Sequence, residues 1–225
     1  MFWMIADKVG SVLSPVLIHF LVSNVIVILF ETVGLHVDAA FLTSITAVLV
    51  LPLFLWMYKA DADRPAANEK KEEPPEKRIP GFADYLLLAG FGVICNVLLT
   101  MLLNFLLQGS SLSNEAQESL FGSSFFMQLF GIGMITPVME EVLFRGLVYK
   151  RLKGYTNNVW AAAAGSAALF AVYHGNVIQM LFAFPMGILL GVLYQKWDTV
   201  KAPAVFHAAV NISSVLISAY TQGLL

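Results

Sequence analysis

Seven stretches of this chain are apolar for long enough to cross a bilayer, and that constrains the backbone before any side chain is considered. They cover residues 12–31, 39–58, 83–107, 124–149, 158–174, 177–195 and 202–221. Inside hydrocarbon no water can satisfy a free N–H or C=O, so only helices and closed barrels span it. Runs of about 20 apolar residues have the length of a spanning helix, whereas a barrel strand needs about half as many. The expected fold is all-α, a polytopic transmembrane helical bundle of about seven spans. Composition agrees: mean hydropathy is +0.75, with 58% apolar and only 12% charged residues, which excludes an ordinary soluble domain. A net charge of -2 gives no basis for nucleic-acid binding, so the lipid bilayer is the expected surrounding. The single Cys95 lies in an apolar segment, which rules out a disulfide framework and a cysteine-based metal site. The N-terminal segment lacks a small-residue cleavage site and reads as a retained first span.

The linkers order the spans. Residues 59–82 carry Lys59, Arg64, Lys70, Lys71, Lys77 and Arg78; the next alternate linker has Lys150, Arg151 and Lys153, and the one after has Lys196 and Lys201. The intervening loops (32–38, 108–123 and 175–176) contain no Lys or Arg. The positive-inside rule then places the basic loops and the N-terminus in the cytoplasm and the C-terminus outside. The KKEEPPEK stretch reads as a solvated spacer. This divides the chain into N-terminal transmembrane helices with a charged cytoplasmic linker (1–119) and a C-terminal core (120–225). In that core the small-residue run 161–168, with Gly187 and Gly191, reads as close helix packing.

Charge is not confined to the linkers. Within ITPVMEEVLFRGLVYK, Glu140, Glu141 and Arg145 fall at bilayer depth, where an ionisable side chain is costly and marks a functional site by default. Glu141 and Arg145 are spaced i,i+4, so they share a helix face and can form a desolvated ion pair. Glu140 points about 100° away, which leaves one carboxylate for chemistry. Pro137, one turn earlier, removes a backbone hydrogen bond and is expected to kink the helix. Three more polar residues sit in later spans: His174, and His207 with Asn211 one turn apart. Phe170, one turn before His174, can shield its imidazole. Counting rise per residue, Glu140, His207 and Asn211 reach compatible depths. His174 lies deeper, and a helix break at Gly175-Asn176 would have to bring it back.

A poorly solvated carboxylate beside a histidine is a good general base toward water. His and Asn on the last helix can donate to a developing oxyanion. Together they suit hydrolysis of a carbonyl compound, as in peptide-bond cleavage. HExxH and GxGD motifs are absent, and no serine stands out with a histidine partner.

Glu-Glu-x-x-x-Arg (140–145), Phe-x-x-x-His (170–174) and His-x-x-x-Asn (207–211), in that order, resemble the CAAX protease and bacteriocin-processing (Abi) family of intramembrane glutamate proteases. The resemblance covers about residues 120–215. It implies that Glu140 activates the attacking water with His174, that His207 and Asn211 form the oxyanion hole, and that Glu141, Arg145 and Phe170 support them. It further implies a peptide or membrane-protein substrate and no bound cofactor. Two His and a Glu could also bind zinc, a minor alternative. Two other readings stay open: a catalytically silent immunity or scaffold protein, and an ion-coupled transporter using the carboxylates as a relay. Neither the substrate nor the oligomeric state is written in these motifs.

Overall fold

The computed structural model describes residues 2–63, 79–108 and 120–224, with side chains from residue 5 onward. Helices occupy nearly all of it: α1 (Phe2–Thr32), α2 (Ala39–Ala62), α3 (Phe82–Leu106), α4 (Met127–Thr156), α5 (Val159–Tyr173), α6 (Val177–Trp197) and α7 (Lys201–Thr221). Among the described residues there is no strand. Six helices are long and apolar enough to cross a membrane, and α5 is a shorter apolar helix of 15 residues. The protein is a multi-pass helical bundle, and each of the seven expected segments coincides with one helix. Arg64, Lys70, Lys71, Lys77, Arg78 and the KKEEPPEK spacer lie outside the described residues.

Helix α4 is the central one. Of its most apolar stretch 67% is buried, against 17% for α3. It packs on α1, α2, α5, α6 and α7, while α3 pairs with α7 and α5 with α6. Val142, Leu143, Phe144, Leu147 and Val148 are all buried, the pattern of a helix apolar all round and enclosed by others. The close packing expected of the small residues is present between α5 and α6. A Cβ on Gly187 would stand 2.9 Å from Ala167 Cα, and Gly191 faces Ala163.

Local sequence sets the helix ends. Asn158 caps α5 by accepting from the Trp160 and Ala161 amides, and Asn176 caps α6 by accepting from Ile178 and Gln179. Between them, Gly175 adopts φ +68°, a left-handed conformation that glycine enters without a Cβ penalty. The chain therefore breaks where a break was needed to return His174 to the level of the other polar residues.

One end of the bundle is tied by polar contacts. The Arg151 guanidinium donates to Asp61 at 2.6 Å and to the Ser11 carbonyl at 2.5 Å, and Lys8 lies over the Tyr155 ring. The start of α1, the end of α2 and the end of α4 thus share one side, as the alternation of basic linkers requires.

Candidate active site

Helix α4 changes its winding twice. It is π-helical over Met127–Ile135, α-helical over Thr136–Glu141, and π-helical again over Val142–Tyr149. Such wide turns are uncommon and cluster at functional sites. What stands at Pro137 is this change of winding. In the wide register the Thr136 amide donates to Gly131 O, five residues back. The next amide in that register would belong to residue 137 and would serve Ile132 O, but proline has no N–H to give. Asn211 takes that role instead: its Nδ2 donates to Ile132 O at 3.0 Å. Proline on α4 and asparagine on α7 are thereby coupled, and Asn211 is held two turns from Glu140.

The expected ion pair forms. Arg145 donates to Glu141 Oε1 at 2.9 Å, with both side chains fully buried, and reaches the Gly187 carbonyl on α6 at 3.2 Å. Its guanidinium carbon lies 4.6 Å from the Phe170 ring centroid. The expectation that Glu140 aims elsewhere is half met. Glu140 lines a cavity and Glu141 does not, yet both carboxylates approach one imidazole. His207 Nδ1 lies 2.8 Å from Glu141 Oε1, and its Nε2 lies 3.6 Å from Glu140 Oε2. Two nitrogens on opposite edges of the ring allow two adjacent residues to meet the same partner. A carboxylate already bound by arginine can only accept, so His207 donates Nδ1–H to Glu141.

His174 forms the C-terminal cap of α5. Its Nδ1 donates to Phe170 O at 2.7 Å, which leaves Nε2 as the acceptor of the neutral ring. Phe170 is the common neighbour of the cluster: its ring meets His174 edge-on at 4.7 Å and His207 at 5.7 Å, besides carrying Arg145. The four residues expected to do chemistry, Glu140, His174, His207 and Asn211, all line one cavity of about 730 Å³. Among the described residues no three His, Cys, Asp or Glu side chains are grouped as a metal-ion site.

Several lining residues carry no motif. His19 of α1 hydrogen bonds the Tyr173 hydroxyl at 3.1 Å, and Tyr173 in turn packs edge-on against His174. Thr136, one turn before Glu140, faces the cavity, as do Asn96, Thr100 and Asn104 of α3. Asn96 is anchored to α7 through Ser213 at 2.8 Å. The first three spans therefore supply part of the cavity wall.

Residues 122–213 match the family described as type II CAAX prenyl endopeptidase Rce1-like. The matched stretch holds α4 through most of α7, and with them Glu140, Glu141, Arg145, Phe170, His174, His207 and Asn211. Over 84 residues the chain is 25% identical to a protein of Bacillus subtilis (strain 168) named "Putative membrane peptidase YdiL". That alignment covers 37% of this chain and 34% of the relative, so about a third of the relative's length is spanned. No solved structure matches.

Proposed function

We propose that the protein is a CAAX-protease-like endopeptidase that hydrolyses peptide bonds of a membrane-embedded substrate. The observation that carries this reading is the convergence of Glu140, His174, His207 and Asn211, from three separate helices, on one cavity. Glu140, assisted by the acceptor nitrogen of His174, takes a proton from water as its oxygen attacks the scissile carbonyl. The oxyanion receives hydrogen bonds from His207 and from the second amide hydrogen of Asn211, the first being held by Ile132. Collapse of the tetrahedral intermediate breaks the C–N bond, and the proton passes to the leaving amine. A doubly protonated His207 brings the cluster of Glu140, Glu141, Arg145 and His207 to zero net charge and supplies Nε2–H as a donor. A neutral cluster is also the cheaper one to bury. Glu141, Arg145 and Phe170 hold His207 in place. Basic linkers face the cytoplasm and the C-terminus lies outside, in keeping with the distribution of Lys and Arg.

The test compares new N-termini produced in reconstituted membranes by wild type and by Glu140→Ala, each with and without a chelator. Cleavage is expected from wild type alone and is expected to survive chelation. Loss of cleavage on chelation would replace the metal-free mechanism. Equal products from both variants would turn the protein into a silent scaffold.

The coupling at Pro137 gives a second prediction. Pro137→Ala restores an N–H that competes with Asn211 for the Ile132 carbonyl. Thermal stability is expected to hold or rise, because interior proline disfavours a helix. Cleavage is expected to fall roughly ten- to a hundredfold, since small displacements of a positioned donor are costly. A melt and a rate measured on the same preparation check both halves.

A further inference from the structure

His19 belongs to none of the three motifs and lies outside the matched stretch of residues 122–213. It stands at the middle of the apolar run Ile5–Thr32 of α1, is only 6% exposed and lines the cavity. A polar side chain buried at bilayer depth is unfavourable, and its default reading is functional. Both of its ring nitrogens lie 3.1 Å from the Tyr173 hydroxyl, and the two rings meet edge-on at 5.1 Å. A neutral imidazole keeps one accepting nitrogen and a phenol is the stronger donor, so Tyr173 donates its O–H to His19. A residue needed only to fill space beside Tyr173 could be phenylalanine.

Tyr173 is the last residue of α5, and His174 follows it as the cap. Beyond the cap the chain turns through left-handed Gly175, so no further turn of α5 restrains the imidazole. Its Nδ1–H is held by Phe170 O, which fixes the tautomer but lets the ring swing about that bond. Two rings limit the swing: Phe170 at 4.7 Å and Tyr173 at 5.8 Å, both edge-on. Phe170 is pinned from α4 by Arg145 and by the Phe144 ring. Tyr173 also has Phe144 beside it, at 5.3 Å, but its hydroxyl is tethered by His19. One of the two rings that orient His174 is thus held in place from α1.

We infer that His19 is a positioning residue for the reaction: through the Tyr173 hydroxyl it steadies the ring that keeps the His174 imidazole aimed at the water Glu140 activates. This rests on the proposed peptidase activity and extends its machinery to α1.

The test uses full-length protein in phosphatidylcholine vesicles and a peptide that wild type cuts. His19→Phe keeps a ring and removes the acceptor, Tyr173→Phe keeps the ring and removes the donor, and His19→Gln keeps an acceptor on a side chain of similar reach. Each of the two Phe variants is expected to lower kcat roughly tenfold with KM within about twofold of wild type, because a slightly misaimed group loses rate rather than binding. The double variant His19→Phe/Tyr173→Phe is expected to be no slower than either single one, since both break one contact. His19→Gln is expected to recover most of the rate.

Because the chain has only four histidines, ring ¹⁵N spectra of histidine-labelled protein report the geometry apart from activity. The His174 resonances, identified by their loss in His174→Ala, are expected to shift or broaden in both Phe variants and to return in His19→Gln, while those of His207 hold. Should His19→Phe not fold, Tyr173→Phe carries the same test, since it keeps every ring contact. Rates within about twofold of wild type in the Phe variants would overturn the inference. So would a roughly tenfold loss with the His174 resonances unmoved, or effects that multiply in the double variant. Failure of the peptidase reading looks different: if no peptide is cut in a Glu140-dependent way, that reading falls and takes this inference with it, whatever the spectra show.

Discussion

Glu140→Gln is expected to lower the cleavage rate by about 10³-fold while leaving the folded protein intact. The magnitude follows from what a positioned general base supplies, about 10²- to 10⁴-fold. The amide keeps the volume and most of the polarity of the carboxylate but cannot accept a proton from water. Folding is expected to survive because Glu140 faces the cavity and its approach to His207, at 3.6 Å, is not a close hydrogen bond. Glu141→Gln should behave differently. It weakens a fully buried pair at 2.9 Å and the 2.8 Å contact that orients His207, so stability and rate fall together. Measuring the melt and the single-turnover rate for both variants distinguishes the adjacent glutamates. A Glu140→Gln enzyme retaining a tenth of wild-type rate would remove Glu140 from the chemistry.

Much of this arrangement was legible in the chain because the bilayer makes each polar residue expensive. Seven apolar runs specified seven helices, since hydrocarbon permits no other unpaired backbone. Glu141 and Arg145 announced their pairing through i,i+4 spacing, and Gly187 its role through size. The winding of α4 was not legible. Nothing in MQLFGIGMI distinguishes a π-helix from an α-helix, because the choice depends on whether α7 offers Asn211 to the carbonyl that Pro137 leaves unserved. The shared approach of both glutamates to His207 was equally hidden, since it depends on where α7 packs against α4. His19, Thr136 and the α3 stripe are a different case. Asn96, Thr100 and Asn104 at four-residue intervals in an otherwise apolar span do carry a readable signal of one polar face turned away from lipid. That signal has no motif attached to it, so only the cavity shows what the face is turned toward.

Arg145→Met is expected to destabilise the protein by about 3–5 kcal/mol, the usual cost of leaving one member of a buried ion pair without its partner. On a chain of this size that lowers Tm by on the order of 10 °C. The arginine is fully buried, and three contacts end on it: Glu141 Oε1, the Gly187 carbonyl and the Phe170 face. Lysine cannot replace it, because a single ammonium lacks the planar fork that serves a carboxylate, a carbonyl and an aromatic ring at once. The double variant Glu141→Leu/Arg145→Met removes both charges and should recover most of the lost stability, as buried pairs replaced by apolar side chains commonly do. Activity should not return with it. Without Glu141 the imidazole of His207 loses the acceptor for its Nδ1–H, and its orientation toward the cavity is no longer enforced. Stability and rate thus part company in the double variant, which a purely structural ion pair would not produce. A double variant that regained both would show that the pair supports the bundle without positioning His207, and a single variant as stable as wild type would show that the pair does not support the bundle.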